Sequence, residues 1–111
     1  MSKDQRDKRM IEKNRIELPK ARLEQFCRNY HIRKLSLFGS VLRDDFKASS
    51  DIDLLVEFET GFKVGLLKMA RIENELSEIL GRKVDLRTPG DLSRYFRGEV
   101  LESAEVAYAQ G

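Results

Sequence analysis

The chain of 111 residues has one cysteine, one histidine, no tryptophan and no apolar run long enough to cross a membrane. Each scarcity removes a class of protein. Cys27 has no second cysteine to bridge, so no internal disulfide braces the fold. Its place on an apolar helical stripe with Leu23, Phe26 and Tyr30 reads as a buried, inert thiol. His31 precedes the first expected strand and Ser40 follows it, so a Ser–His nucleophile is not expected. His31 reads instead as a helix-terminal residue favoured by the helix dipole. A spanning helix takes about 20 apolar residues. With neither such a run nor a secretory h-region, the expectation is a soluble cytoplasmic protein with no membrane contact.

A basic platform for nucleic acid is missing too. Residues 1–15 hold six Lys/Arg against three Asp/Glu and residues 16–111 hold fifteen against sixteen, so the net charge of +2 comes from the first segment. Direct nucleic-acid binding is not expected of the body. Segment 1–15, strongly charged and poor in apolar residues, reads as a mobile leader or a solvated helix extension. Residues 16–111 suit a single domain with one core.

What the sequence does contain is concentrated in one stretch. The apolar run Leu35-Ser36-Leu37-Phe38 ends at Gly39-Ser40-Val41-Leu42-Arg43-Asp44-Asp45, and Asp51-Ile52-Asp53-Leu54-Leu55-Val56 begins twelve residues after Gly39. A strand giving way at Gly39 to a short helix would present backbone N–H groups to a polyphosphate. Gly39 would allow close approach and the Ser40 hydroxyl would add a donor. On the following strand Asp51 and Asp53 share one face, about 6 to 7 Å apart, while Ile52, Leu54 and Val56 face the other. Two bare carboxylates so close repel by roughly 3 kcal/mol at an effective dielectric of 20. A cation between them removes that cost, and hard oxygen ligands select Mg²⁺ or Mn²⁺. Taken singly, Gly-Ser after a strand is a turn and Asp-x-Asp a solvated strand start; the conjunction points to a metal-dependent nucleotide site.

These residues resemble the minimal nucleotidyltransferase family of the DNA polymerase β superfamily. Its signature is Gly-Ser after a strand, a short helix with an Arg, and a strand bearing Asp-x-Asp. The resemblance runs from about Phe26 to Tyr108 and implies a nucleotide-binding role for Gly39, Ser40 and Arg43. It also implies a third carboxylate on a neighbouring strand, for which Lys83-Val84-Asp85-Leu86-Arg87 offers Asp85, alternating with Val84 and Leu86. By itself Asp85 reads as an exposed edge-strand acid. Arg43, three residues after Ser40, either reaches a phosphate or pairs with Asp44, Asp45 or Asp91. Asp44 stands where such proteins often have Gly, and Asp tolerates left-handed backbone well enough to keep the turn.

The pattern predicts an α/β fold. A helix runs from Pro19 to near His31, a strand over 32–38, a short helix around 40–43, a polar turn at 47–50 and a strand over 51–58. A helix over 65–80 stopped by Gly81, a strand over 83–87 and a turn at 88–91 come next. A helical C-terminal region then carries the stripe Phe96, Val100, Leu101, Ala104, Ala107 and Tyr108, with Gly98 a weak point. The expected architecture is a small mixed sheet with helices on one face and the three acids on the other. That agrees with the polymerase-β-like fold the resemblance implies.

By the same resemblance, two Mg²⁺ ions held by Asp51, Asp53 and Asp85 would flank the α-phosphate of ATP, with Ser40 a binder and not a nucleophile. Larger members carry added domains for nucleic-acid, tRNA or drug acceptors, and no such domain is read here. Free-standing minimal members resemble antitoxins that silence a HEPN-domain RNase toxin by transferring AMP to a toxin tyrosine. The leading expectation is such a protein adenylyltransferase antitoxin. The alternatives are a non-catalytic antitoxin acting by binding, or the small subunit of a nucleotidyltransferase for a metabolite or drug.

Overall fold

The computed structural model describes residues 8–11, 16–42 and 50–110. In chain order these form β1 (Lys8–Ile11), β2 (Ile16–Pro19), α1 (Lys20–Asn29), β3 (Ile32–Phe38) and a 3-10 turn (Gly39–Leu42). Then come β4 (Ile52–Phe58), α2 (Leu66–Leu80), β5 (Val84–Arg87), a second 3-10 turn (Pro89–Asp91), α3 (Arg97–Ser103) and β6 (Glu105–Ala109). Pro19 caps α1, where its missing N–H costs nothing. The helix buries Leu23, Phe26 and Cys27 at the spacing that the sequence shows. Gly81 ends α2 in the left-handed conformation at φ 69°, and its N–H closes on the Ser77 carbonyl.

Four strands make one sheet in the order β5-β4-β3-β6. Strands β4 and β5 are parallel and the other neighbours antiparallel. A parallel pair needs a crossover, and α2 supplies it. Leu35 and Leu37 of β3, Ile52, Leu54 and Val56 of β4, and Val84 and Leu86 of β5 turn to the helix side. There they bury with Leu18, Leu23, Phe26, Cys27, Ile72 and Leu76 in one apolar cluster. The α1–α2 contact is tied by the Tyr30 hydroxyl, which donates to the Glu75 carboxylate. The outer edge of β5 is closed by α2: the N–H of Val84 donates to Ser77 Oγ at 3.0 Å and that of Leu86 to Glu73 Oε2 at 2.8 Å. An edge sealed in this way has no free donors to template another strand.

The other face carries the carboxylates. Strands β5 and β6 run the same way at opposite edges, so residues 88–104 carry the chain back from one edge of the sheet to the other. Ser36 and Leu55 belong to that face and are 2% and 1% exposed, as a partial cover requires.

Two regions depart from the sequence reading. The helical stripe does not continue through Ala107 and Tyr108: α3 stops at Ser103, Ala104 is extended, and Glu105–Ala109 pairs with β3. Pairing outweighs the local pattern because the buried strand β3 would otherwise have an open edge. Ser103 also bonds back to the Glu99 carbonyl, a habit that weakens a helix end. At the other terminus residues 8–11 form β1, antiparallel to β2 with Lys8 opposite Pro19 and Ile11 opposite Ile16. The rest of segment 1–15 lies outside the described residues, as do Arg43, Asp44, Asp45 and positions 47–49 of the expected polar turn. Among the described residues no helix is long and apolar enough to cross a membrane.

Candidate active site

The sheet register assembles the site. Phe38, the last residue of β3, lies opposite Asp53 of β4, so the chain leaving β3 turns directly over that carboxylate. Asp53 is in turn level with Asp85 on the parallel neighbour β5. Adjacent strands lie about 4.8 Å apart, and residues in register point to the same side, so Asp53 and Asp85 stand side by side. Asp51, two residues before Asp53, is exposed at the entrance to β4.

Gly39 makes the turn with φ at 71°, a conformation natural to glycine, and a Cβ there would lie 2.5 Å from Asp53 Oδ2. Glycine is thus required twice over, by conformation and by space. Beyond it, the Ser40 N–H donates to Asp53 Oδ2 at 3.4 Å and the Ser40 hydroxyl to the Asp51 carbonyl at 3.5 Å. Both contacts are long, so Ser40 can exchange them for a ligand at little cost. Burial pushes the Asp53 carboxyl up from its ordinary value; the Ser40 amide opposes this, and the nearby Asp85 and Asp51 add to it. A carboxylate perturbed by like charges is a common mark of a functional site.

Arg87 had no role in the sequence reading. It lies two residues beyond Asp85 on the same face, and its Nη2 sits 3.3 Å from Asp85 Oδ2. The alternation that exposed Asp85 would also have exposed this residue. The structure therefore brings together Gly39, Ser40, Asp51, Asp53 and Asp85 and adds Arg87; Arg43 lies outside the described residues.

Among the described residues no three carboxylate, imidazole or thiol groups stand as a ready-made metal cage. The donor set still fits a hard divalent cation. All three candidates are carboxylates, two of them in register, and the charge felt by Asp53 is of the sign a cation would relieve. Beside Gly39 opens a cleft of about 700 Å³, walled by Leu42, Phe96, Glu99, Val100 and Glu105. This is within the ordinary size of small-ligand sites. His31 is at the far end of the seven-residue β3, whose length is about 23 Å at the usual strand rise. It stacks on Phe62 with centroids 3.8 Å apart. His31 and Ser40 therefore stand at opposite ends of β3.

The sequence model of the family described as nucleotidyltransferase domain matches residues 20–107. Protein adenylyltransferase MntA of Thermococcus cleftensis is 34% identical over 88 residues, covering 79% of this chain and 85% of the relative. The solved structure of a minimal nucleotidyltransferase is 37% identical at a TM-score of 0.61, over 76% of this chain and 87% of its own. A chain from the complex of a tri-AMPylated HEPN toxin of Shewanella oneidensis with its MNT antitoxin aligns at a TM-score of 0.58, over 81% of this chain and 69% of that one. Its 18% identity makes that a likeness of fold. The carboxylates in register beneath Gly39 and Ser40 thus sit in a matching sequence frame and a matching fold, and the chain belongs to the nucleotidyltransferase domain family as a minimal nucleotidyltransferase.

Proposed function

We propose that this nucleotidyltransferase is an antitoxin that transfers AMP from ATP to a tyrosine of a HEPN-domain RNase toxin. The carrying observation is the register that sets Asp53 beside Asp85 under the Gly39–Ser40 turn. The choice of acceptor is supported by the MntA relative, named as a protein adenylyltransferase, and by the AMPylated toxin bound to the MNT antitoxin.

Asp51, Asp53 and Asp85 would hold the Mg²⁺ or Mn²⁺ ions that, when bound, lower the pKa of the acceptor hydroxyl and neutralise the leaving pyrophosphate. The chain's own residues supply position. Gly39 keeps the turn close over Asp53, and the Ser40 N–H and hydroxyl give up their long contacts to orient the outer phosphates. The cleft beside Gly39 takes the nucleoside. Exposed Asp51 leaves one side of the site open to a side chain carried by another protein. The tyrosine oxygen bonds to the α-phosphorus as the bond to pyrophosphate breaks, and the phenolic proton is released. Incubating the chain with the product of its neighbouring gene, ATP and Mg²⁺ adds the mass of AMP to a partner tyrosine; no added mass with any nucleotide refutes transfer.

One observation favours a second reading, inhibition by binding alone: Asp85 is engaged by Arg87. The double variant Asp51→Asn, Asp53→Asn separates the two. Loss of neutralisation with the complex intact supports transfer, and retained neutralisation supports occlusion.

A further inference from the structure

Arg87 and Asp85 alternate with the buried Leu86 on β5, which fixes both side chains to the carboxylate face. The guanidinium touches Asp85 at 3.3 Å, with the two side chains 49% and 38% exposed. It also interacts with Asp53 and Asp91, so its surroundings are acidic on more than one side. Without a positive charge here, Asp53 and Asp85, in register on adjacent strands, would repel one another unrelieved. The pair is also easy to undo. An ion pair this exposed is held weakly and leaves water access to both groups.

We propose that Arg87 is an exchangeable counter-ion: it neutralises Asp85 while the site is empty of metal and is displaced from that carboxylate when a divalent cation enters. The proposal rests on the reading of the three acids as the cation's holders. The single positive charge of Arg87 rests against a carboxylate that this reading assigns to a doubly charged ion. The exchange sets the cation concentration at which the site fills, because an ion ligated by Asp85 must first break the Arg87 contact. A guanidinium is charged at every accessible pH, so the competition depends on cation concentration and ionic strength.

The test is calorimetric titration of the full-length chain with Mn²⁺ at fixed ionic strength, comparing the unaltered protein with Arg87→Gln, Arg87→Lys and Asp85→Asn. Removing one positive charge about 6 Å from a divalent ion, with water between, tightens binding roughly three- to tenfold. Arg87→Gln is therefore expected to bind Mn²⁺ more tightly by that factor, with Arg87→Lys close to the unaltered chain. Asp85→Asn is expected to lose most binding. In the unaltered protein, the Arg87 Nε–H resonance moves on Mg²⁺ titration with the midpoint of cation binding, a readout that needs no variant to fold. Arg87→Gln binding no more tightly than the unaltered chain, or an Arg87 resonance indifferent to Mg²⁺, overturns the exchange and leaves the three acids as ligands. An unaltered chain that takes up no Mn²⁺, even with a non-hydrolysable ATP analogue, overturns the exchange and the cation reading together.

Discussion

Replacing Gly39 by alanine tests whether the turn over Asp53 is built for chemistry or only for chain reversal. Two penalties arise, and the structure contains a control for one of them. Gly39 and Gly81 have nearly the same left-handed φ, 71° and 69°, but an added Cβ meets nothing within 4 Å at Gly81 and Asp53 Oδ2 at 2.5 Å at Gly39. Gly81→Ala measures backbone strain alone, about 1 kcal/mol, which lowers Tm by roughly 5 °C in a domain of this size. Gly39→Ala adds a contact nearly 1 Å inside the normal limit. Relieving it moves the carboxylate or lifts the turn, for a total of about 2–3 kcal/mol. Displacing a catalytic group by about 1 Å costs on the order of 10²-fold in rate. The expected result is a Gly81→Ala enzyme of normal specific activity and a Gly39→Ala enzyme slower by about two decades, measured as pyrophosphate release below both melting temperatures. In an Asp53→Ala background the clash has no partner, so the cost of Gly39→Ala should fall to the strain alone, a coupling of about 1 kcal/mol or more by urea denaturation. Equal cost in both backgrounds, or activity no lower for Gly39→Ala than for Gly81→Ala, refutes the reasoning.

Three other outcomes are expected. Glu73→Ala leaves the Leu86 N–H without its acceptor at the edge of β5 and should cost about 1–3 kcal/mol in urea unfolding, with Glu73→Gln recovering most of it. The hydrogen bond to Glu75 raises the Tyr30 phenol above its ordinary value of 10.0. That contribution to stability is complete below about pH 10 and is lost as pH rises through the folded-state value, so Tyr30→Phe should flatten the alkaline limb of a stability–pH curve. Burial pushes the Cys27 thiol up to about 12, so a thiol reagent at pH 8 should label the native chain only at the rate of unfolding; rapid labelling would place Cys27 at the surface.

Period-2 and period-3.6 patterns marked most of the fold in advance. The strand over 32–38 is β3 residue for residue, and α2 and β5 start within one residue of their expected first positions. These elements bury one face each, so their apolar spacing is a direct image of their geometry. The C-terminus was not legible in this way. Residues 104–108 fit a helical stripe by spacing, yet their place is decided by the open edge of β3, a partner about seventy residues distant in sequence. Glu73 and Ser77 look like solvated polar positions of α2 until β5 is laid against them. Arg87 could have been placed on the carboxylate face by alternation, but its pairing with Asp85 is a matter of side-chain reach.

The sequence by itself determined the chemical inventory: a Gly-Ser turn after a strand, two carboxylates on one strand face and a third on another, with no second histidine or cysteine to support different chemistry. Local pattern suffices for that, because side-chain direction along a strand is fixed by its period. Only the tertiary structure decided that Asp53 and Asp85 are level, that Gly39 leaves no room for a Cβ above Asp53, and that Arg87 occupies Asp85. The first depends on the register between strands that α2 holds apart in sequence, the second on the register of β3 against β4, and the third on side-chain reach along β5. Register is set by how the opposite, apolar face packs.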